Sequence, residues 1–458
     1  MNLPELNVCL LNDSFPPLID GVANAVINYA ETIQSELGSA TVVTPSYPDY
    51  TDNFSFPVVR YSSVDTSKFI GYRAGYPFSS STIENLKENK FDVIHSHCPF
   101  ASTVLGRNIQ GNSSTPLIMT YHTKFDEDIR RIIDNPIIVP QITKFVVHNM
   151  DSCDEIWTVS KGAGENLRSI GYQGEYIVMP NGVDFPKGRA DKEKAELLRL
   201  KLDLSNEIPT FLFVGRLFWY KGLKLIFDSL KQLSQKNIRY RFIIIGDGGD
   251  RAEMEKYVSD IGISESCNFI GAINNREELR CYYSVSDLFL FPSLYDTNGI
   301  VVREAAACGL PSVLIKGSCA AEDFTHYRNA ILIDNNTGSF TSELEYASSH
   351  LSELKQMGEN AMNEIYLSWS DAVKKAYERY NIVIQNKRSG ITQCRENKFQ
   401  ETWYNYISDV TDSIQKFRSI TANVKDSSKQ FSESLKQKRE HIKNNILANI
   451  KEFTEKNK

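Results

Sequence analysis

In the stretch SLYDTNGIVVREAAACGLPSVL, residues 293–314, one carboxylate, Asp296, stands just ahead of a small-residue helix and another, Glu304, lies a turn inside it. A helix starting near Gly299 offers free backbone amides and the positive end of its dipole, so Asn298, Gly299 and Ile300 form a natural phosphate cradle. Carboxylates do not bind phosphate, but they accept hydrogen bonds from hydroxyls. Two acids flanking such a cradle suit a ligand with a diphosphate in its middle and polyols at both ends. A nucleotide sugar is that molecule, with ribose on one side and hexose on the other. The plainer alternative makes Asp296 a capping-type residue and Glu304 a solvated helix position.

Two more strand-to-helix junctions carry usable groups. In VGRLFWYKG, Arg216 and Lys221 follow a strand and precede a helix. There, Arg can grip a diphosphate through a bidentate fork and Lys can act as a point charge; as ordinary surface charges they would do neither. In IIIGDGGDR, Gly246 opens a glycine-rich turn that lacks the full dinucleotide spacing but allows close backbone approach.

These junctions need a scaffold. Apolar runs of strand length occur at 6–12, 41–45, 91–98, 116–123 and 155–160, and again at 209–217, 240–248, 267–273, 287–293 and 311–315, mostly separated by segments of helical period. Such runs fit parallel strands buried on both faces. Two doubly wound α/β domains facing across a cleft are therefore expected, with MPNGVDFPKG (179–188) as linker. Ligands of such sheets sit beyond the carboxyl ends of the strands. The expected units are an acceptor-side domain over 1–184, a donor-binding domain over 185–365, a closing helix over 366–384 that returns to the first domain, and a basic amphipathic helical tail over 385–458. A single helix is expected across 363–384.

VGRLFWYKG, followed by DTNGIVVREAAACGLPSV, resembles the signature of the retaining glycosyltransferases of the GT-B fold, family-4 type. NDSFPPLIDGVANAVINYAETI, FDVIHSHCPF and IMTYHTKFD are similar to that family's acceptor domain, so the resemblance spans roughly residues 6–384. It implies that Glu304 holds the ribose hydroxyls and that Asp296 contacts the transferred sugar. Arg216 and Lys221 would neutralise the diphosphate, Gly21 would abut it, and His122 would face the sugar across the cleft. The family usually has Glu where this chain has Asp296, one methylene shorter. Retention of anomeric configuration is implied by the resemblance alone. The substrate would be a nucleotide sugar, a UDP-hexose, with no cofactor. Aromatic and basic residues at 68–81 and HCPF at 97–100 resemble transferases acting on diacylglycerol or other membrane lipids. A polysaccharide, a protein or a small molecule is the alternative acceptor. Rival readings are a silent GT-B scaffold, a nucleotide-sugar epimerase and a phosphorylase.

No metal is expected. Asp126-Glu127-Asp128 has a D-x-D form but lies in the acceptor half, and His95 and His97 have no further ligand cluster nearby.

The 458-residue length suggests two domains plus extras, and 41% hydrophobic content a folded globular protein. The first residues lack a basic segment and a cleavage site, and the eight scattered cysteines include no CxxC pair. A cytoplasmic protein with reduced thiols is expected. The net charge of −6 divides unevenly: residues 385–458 hold 15 Lys and Arg against 9 Asp and Glu. An acidic body argues against nucleic acid as partner. In the tail, Trp403, Val410, Phe417, Val424 and Phe431 recur every seven residues beside Ile407, Ile414, Leu435 and Ile442. That stripe suits self-association or packing on the body, and its charge suits peripheral contact with the inner membrane face.

Overall fold

The first 178 residues contribute β1 (Asn7–Leu11), β2 (Ser39–Pro45), β3 (Val58–Tyr61), β4 (Ser63–Val64), β5 (Ala74–Gly75), β6 (Val93–Ser96), β7 (Leu117–Tyr121), β8 (Glu155–Thr158) and β9 (Tyr176–Val178). Seven of them make a parallel sheet in the order β3-β2-β1-β6-β7-β8-β9, and β4 and β5 form a separate antiparallel pair. The second half supplies β10 (Thr210–Val214), β11 (Arg241–Ile245), β12 (Cys267–Gly271), β13 (Leu288–Phe291), β14 (Ser312–Ile315) and β15 (Ile331–Ile333). They form a parallel sheet ordered β12-β11-β10-β13-β14-β15. The computed structural model describes residues 4–18, 20–67, 71–111, 113–132, 138–205 and 207–391. The heptad stripe from Trp403 to Ile442 lies outside the described residues, as do 68–70 of the aromatic stretch. Among the described residues no helix is long and apolar enough to cross a membrane.

All ten strands expected from apolar runs are present; nine are central parallel strands, which are buried on both faces, and the tenth, β12, lies at a sheet edge. In the first sheet Val8, Leu10, Val42, Val93, Ile118 and Trp157 face one core, while Cys9, Leu11, Val43, Ile94, Met119 and Ile156 face the other. Alternate residues of one strand thus serve opposite layers. β3, β9 and β15 were not expected. They are edge strands of three or four residues, too short to form an apolar run.

The helix expected over 363–384 is two helices, Leu351–Glu364 and Trp369–Arg388. Ser368 breaks it by acting as N-cap, its hydroxyl accepting from the Asp371 amide at 3.0 Å. The second helix packs Trp369, Val373, Tyr377 and Tyr380 on the first sheet and continues four residues beyond 384. Its Arg379 pairs with the buried Glu155, and its Lys387 with Asp154 at 2.7 Å.

Candidate active site

In the second sheet the order reverses between β10 and β13, the switch point where such sheets hold ligands. The loop after β10 carries Arg216 and the turn Trp219–Lys221, and the loop after β13 carries residues 292–299. The two loops touch at Gly222, which has φ 84°; a Cβ there would lie 2.4 Å from the Pro292 carbonyl oxygen. This contact brings Lys221 onto Asp296, with Nζ donating to Oδ1 at 2.6 Å, while Ser293 Oγ donates to Oδ2 at 2.6 Å. The sequence reading sent Lys221 to the diphosphate and Asp296 to the sugar. In the structure they reach each other, because an ammonium only 7% exposed requires a counter-charge. Arg216 differs. It is exposed, and among the described residues its side chain makes no ion pair or hydrogen bond, only a ring contact 5.8 Å from Phe218.

Glu304 is buried in the helix Ile300–Ala307. Its Oε1 accepts from Arg276 Nη2 at 2.6 Å and its Oε2 from the Tyr283 hydroxyl at 3.0 Å. Arg276 also holds Asp184 and lies 4.2 Å above the Phe185 ring. Burial raises the Glu304 pKa, and Arg276 opposes that rise. Each carboxylate oxygen keeps a second lone pair, so two ribose hydroxyls can still be accepted. Sequence reasoning missed Arg276, Tyr283 and Asp184, since no local spacing ties them to Glu304.

Gly299, with φ 62°, is the N-cap and no side chain caps the helix; the Val302 amide bonds the Gly299 carbonyl at 2.9 Å, which leaves the amides of Ile300 and Val301 without an intrahelical partner. Ile300 is its first residue. Asn298, expected in that cradle, turns its side chain away; Nδ2 donates to the Val159 carbonyl at 2.9 Å. Gly246 is explained without a ligand: a Cβ there would sit 1.9 Å from the Gly215 carbonyl oxygen, where the chains leaving the neighbouring parallel strands β10 and β11 lie against each other. Around Gly21 nothing stands within 4 Å of a would-be Cβ, but the helix it opens is already capped by Asp20, which accepts from Val22 and Ala23 at 2.9 and 2.7 Å. Gly21 therefore offers room rather than free amides. Gly21→Ala is expected to leave the unfolding midpoint unchanged or slightly higher while lowering turnover if the diphosphate passes there. Unaltered steady-state rates would remove Gly21 from the site.

The loop 292–299 is stitched to the first domain. Thr297 Oγ1 donates to the His122 carbonyl, Ser160 Oγ to the Thr297 carbonyl at 2.5 Å, and Lys124 Nζ to the Leu294 carbonyl at 2.9 Å. Tyr295 bonds Asp128, and the Arg131 guanidinium lies 3.7 Å from the rings of both Tyr220 and Tyr295. Glu322 accepts from the Lys161 and Gly162 amides. These contacts place His122 against the loop that carries Asp296. They also account for the D-x-D: Asp126 holds Arg130 and Asn166, and Asp128 holds Thr123 and Tyr295.

His122 follows β7 and its Nε2 meets His97 Nδ1 at 2.9 Å. His95 lies one layer deeper, bonded to Tyr380 and Thr120. Burial pushes the His122 pKa down to about 3 and those of His95 and His97 well below the ordinary value. Folded, all three stay neutral, whereas in the unfolded chain they titrate near 6.5. Below that pH the unfolded chain binds more protons, so stability is full above about pH 6.5 and falls as pH drops through the window toward the folded values. Three such groups give a slope of up to about 4 kcal/mol per pH unit. Asp13, Asp287 and Glu304, raised by burial, act in the opposite sense nearer the carboxylate range. Urea midpoints should fall between about pH 7 and pH 5.5; a flat profile contradicts the neutral cluster.

Comparison with known proteins supplies an independent line. The model described as "Glycosyltransferase Family 4" matches residues 19–186 and that described as "Glycosyl transferases group 1" matches 194–364, one over each sheet-bearing half. Over 392 residues the chain is 24% identical to the alpha-monoglucosyldiacylglycerol synthase of Streptococcus pneumoniae, covering 83% of this chain and 87% of that one. The enzyme of the same name from Acholeplasma laidlawii is 23% identical over 363 residues, covering 77% and 88%. The fold superposes on Alr3699/HepE of Anabaena, solved in complex with UDP, with a TM-score of 0.66 at 17% identity over 82% of this chain and all of that one. With both halves matched in order and the charged loops lying at the switch point of the second sheet, the chain belongs to the family-4 glycosyltransferases of the GT-B fold.

Proposed function

We propose that this glycosyltransferase moves a hexose from a UDP-hexose to the hydroxyl of a membrane lipid, diacylglycerol, with retention of anomeric configuration and without a cofactor. The observation that carries the reading is Arg216, exposed and unpaired at the switch point where the uncapped helix Ile300–Ala307 also begins. Breaking the anomeric C–O bond leaves a nucleoside diphosphate, and fixed positive groups act most strongly where that charge develops. Lys221 is already in place, held on Asp296 until a more highly charged phosphate competes for it. Glu304 takes the ribose and His122 faces the sugar from the first domain. Retention follows the family.

The lipid acceptor is supported by the names of the two bacterial relatives. Action on a lipid places the enzyme peripherally at the cytoplasmic membrane face.

The test is nucleoside diphosphate release from UDP-, GDP- and ADP-sugars, first without acceptor and then with liposomes containing diacylglycerol. Release from one UDP-hexose, stimulated by liposomes, is expected. Release indifferent to liposomes removes the lipid acceptor, and no release or donor binding favours a silent scaffold.

A further inference from the structure

His97 has no part in the chemistry described so far, yet it is fully buried directly behind His122. β6 and β7 run side by side, so the residues that leave their carboxyl ends are neighbours. The two imidazoles stack with centroids 5.2 Å apart and planes 23° from parallel, and one nitrogen of each meets at 2.9 Å. The remaining nitrogen of His97, Nε2, is buried without a partner, and the rings of His95 and Tyr29 pack on the imidazole at 4.0 and 5.2 Å. The remaining nitrogen of His122, Nδ1, is not among the buried unpartnered atoms, and His122 as a residue keeps 7% of its surface exposed. His95 sets no preference. Its two nitrogens meet the hydroxyls of Tyr380 and Thr120, and a hydroxyl serves either tautomer.

A neutral imidazole has one N–H and one lone pair, so the shared bond leaves two arrangements. If His122 Nε2–H donates, His97 must carry its own proton on Nε2, a buried N–H with no acceptor. If His97 Nδ1–H donates, only a lone pair is left bare at that point. Buried N–H groups without acceptors are rarer in proteins than under-used acceptors. Resting on the transferase reading above, we infer that His97 is a positioning residue: it holds His122 in the tautomer whose Nδ1–H faces the cleft, so that His122 donates a hydrogen bond to an oxygen of the transferred sugar and does not act as a base. The Thr297 hydroxyl on the His122 carbonyl fixes the same residue from the other domain. His122 is thereby held at both its main chain and its ring.

Long-range proton–nitrogen correlation spectra of the full chain with isotope-labelled histidine read the tautomer directly at neutral pH. Loss of signals in His122→Asn assigns the resonances. Protonation of His122 on Nδ1 in the unliganded chain is expected, and protonation on Nε2 overturns the inference whatever the enzyme transfers. His97→Phe should release the His122 tautomer and lower kcat about tenfold with donor KM little changed, the scale of effect seen when a supporting hydrogen bond is lost. His97→Asn, whose amide can donate from the same place, should restore most of that loss. Equal loss in both variants reduces His97 to packing and overturns its positioning role. If the tautomer is as stated but the chain turns over no nucleotide sugar, it is the transferase reading, and the sugar contact built on it, that falls.

Discussion

Arg216→Ala is expected to lower turnover at least a hundredfold and to leave the unfolding midpoint where it was. The first half follows from charge: the departing diphosphate gains negative charge in the transition state, and removing one preorganised donor typically costs about 3–4 kcal/mol there. The second half follows from exposure, since the Arg216 side chain has no ion pair or hydrogen bond within the described chain to lose. Lys221→Ala matches it in rate but not in stability. It strands Asp296, whose side chain is only 22% exposed, and truncating one partner of a buried pair destabilises by up to about 3–5 kcal/mol. The double variant Lys221→Ala/Asp296→Ala should recover the midpoint and remain slow. Steady-state kinetics with thermal unfolding of the three proteins separate the effects; near-normal kcat in both single variants removes these cations from the reaction.

That contrast between two cations marks where sequence reasoning stopped. The apolar runs revealed the central strands, and each candidate cation follows its strand at once, so the loops could be placed from the sequence. Pairings between loops could not be. Lys221 and Asp296 are separated by 75 positions, and Arg276 and Glu304 by 28, with nothing in either local spacing to join them. Asn298 was read from its place beside a helix start, but its side chain follows a carbonyl of the other domain, 139 positions away. Gly246 was read as room for a ligand, whereas it lies against the Gly215 backbone of the neighbouring strand end. The edge strands were missed for a different reason: with three or four residues they leave too short a trace.

Glu304 gives the counterpart in kinetics. Ribose hydroxyls carry the same charge before and during bond cleavage, so interactions with them bind ground state and transition state alike and appear in KM rather than kcat. Two hydrogen bonds to a carboxylate, at about 1.5–3 kcal/mol each, amount to a hundredfold or more in donor affinity. Glu304→Ala should therefore raise donor KM and the Kd for UDP at least a hundredfold while kcat at saturation changes little. It also leaves the Tyr283 hydroxyl buried without its acceptor and deprives Arg276 of one of its two carboxylates, so the unfolding midpoint should fall. Glu304→Gln keeps the volume and one acceptor oxygen and should lie between the two. The order of the three proteins in UDP affinity, measured by calorimetry, decides between ribose contact and scaffold. If UDP binds Glu304→Ala and the parent equally while stability drops, Glu304 serves only to anchor Arg276 and Tyr283. If affinity falls in the order Glu, Gln, Ala while kcat holds, the carboxylate that supports the helix also holds the nucleotide.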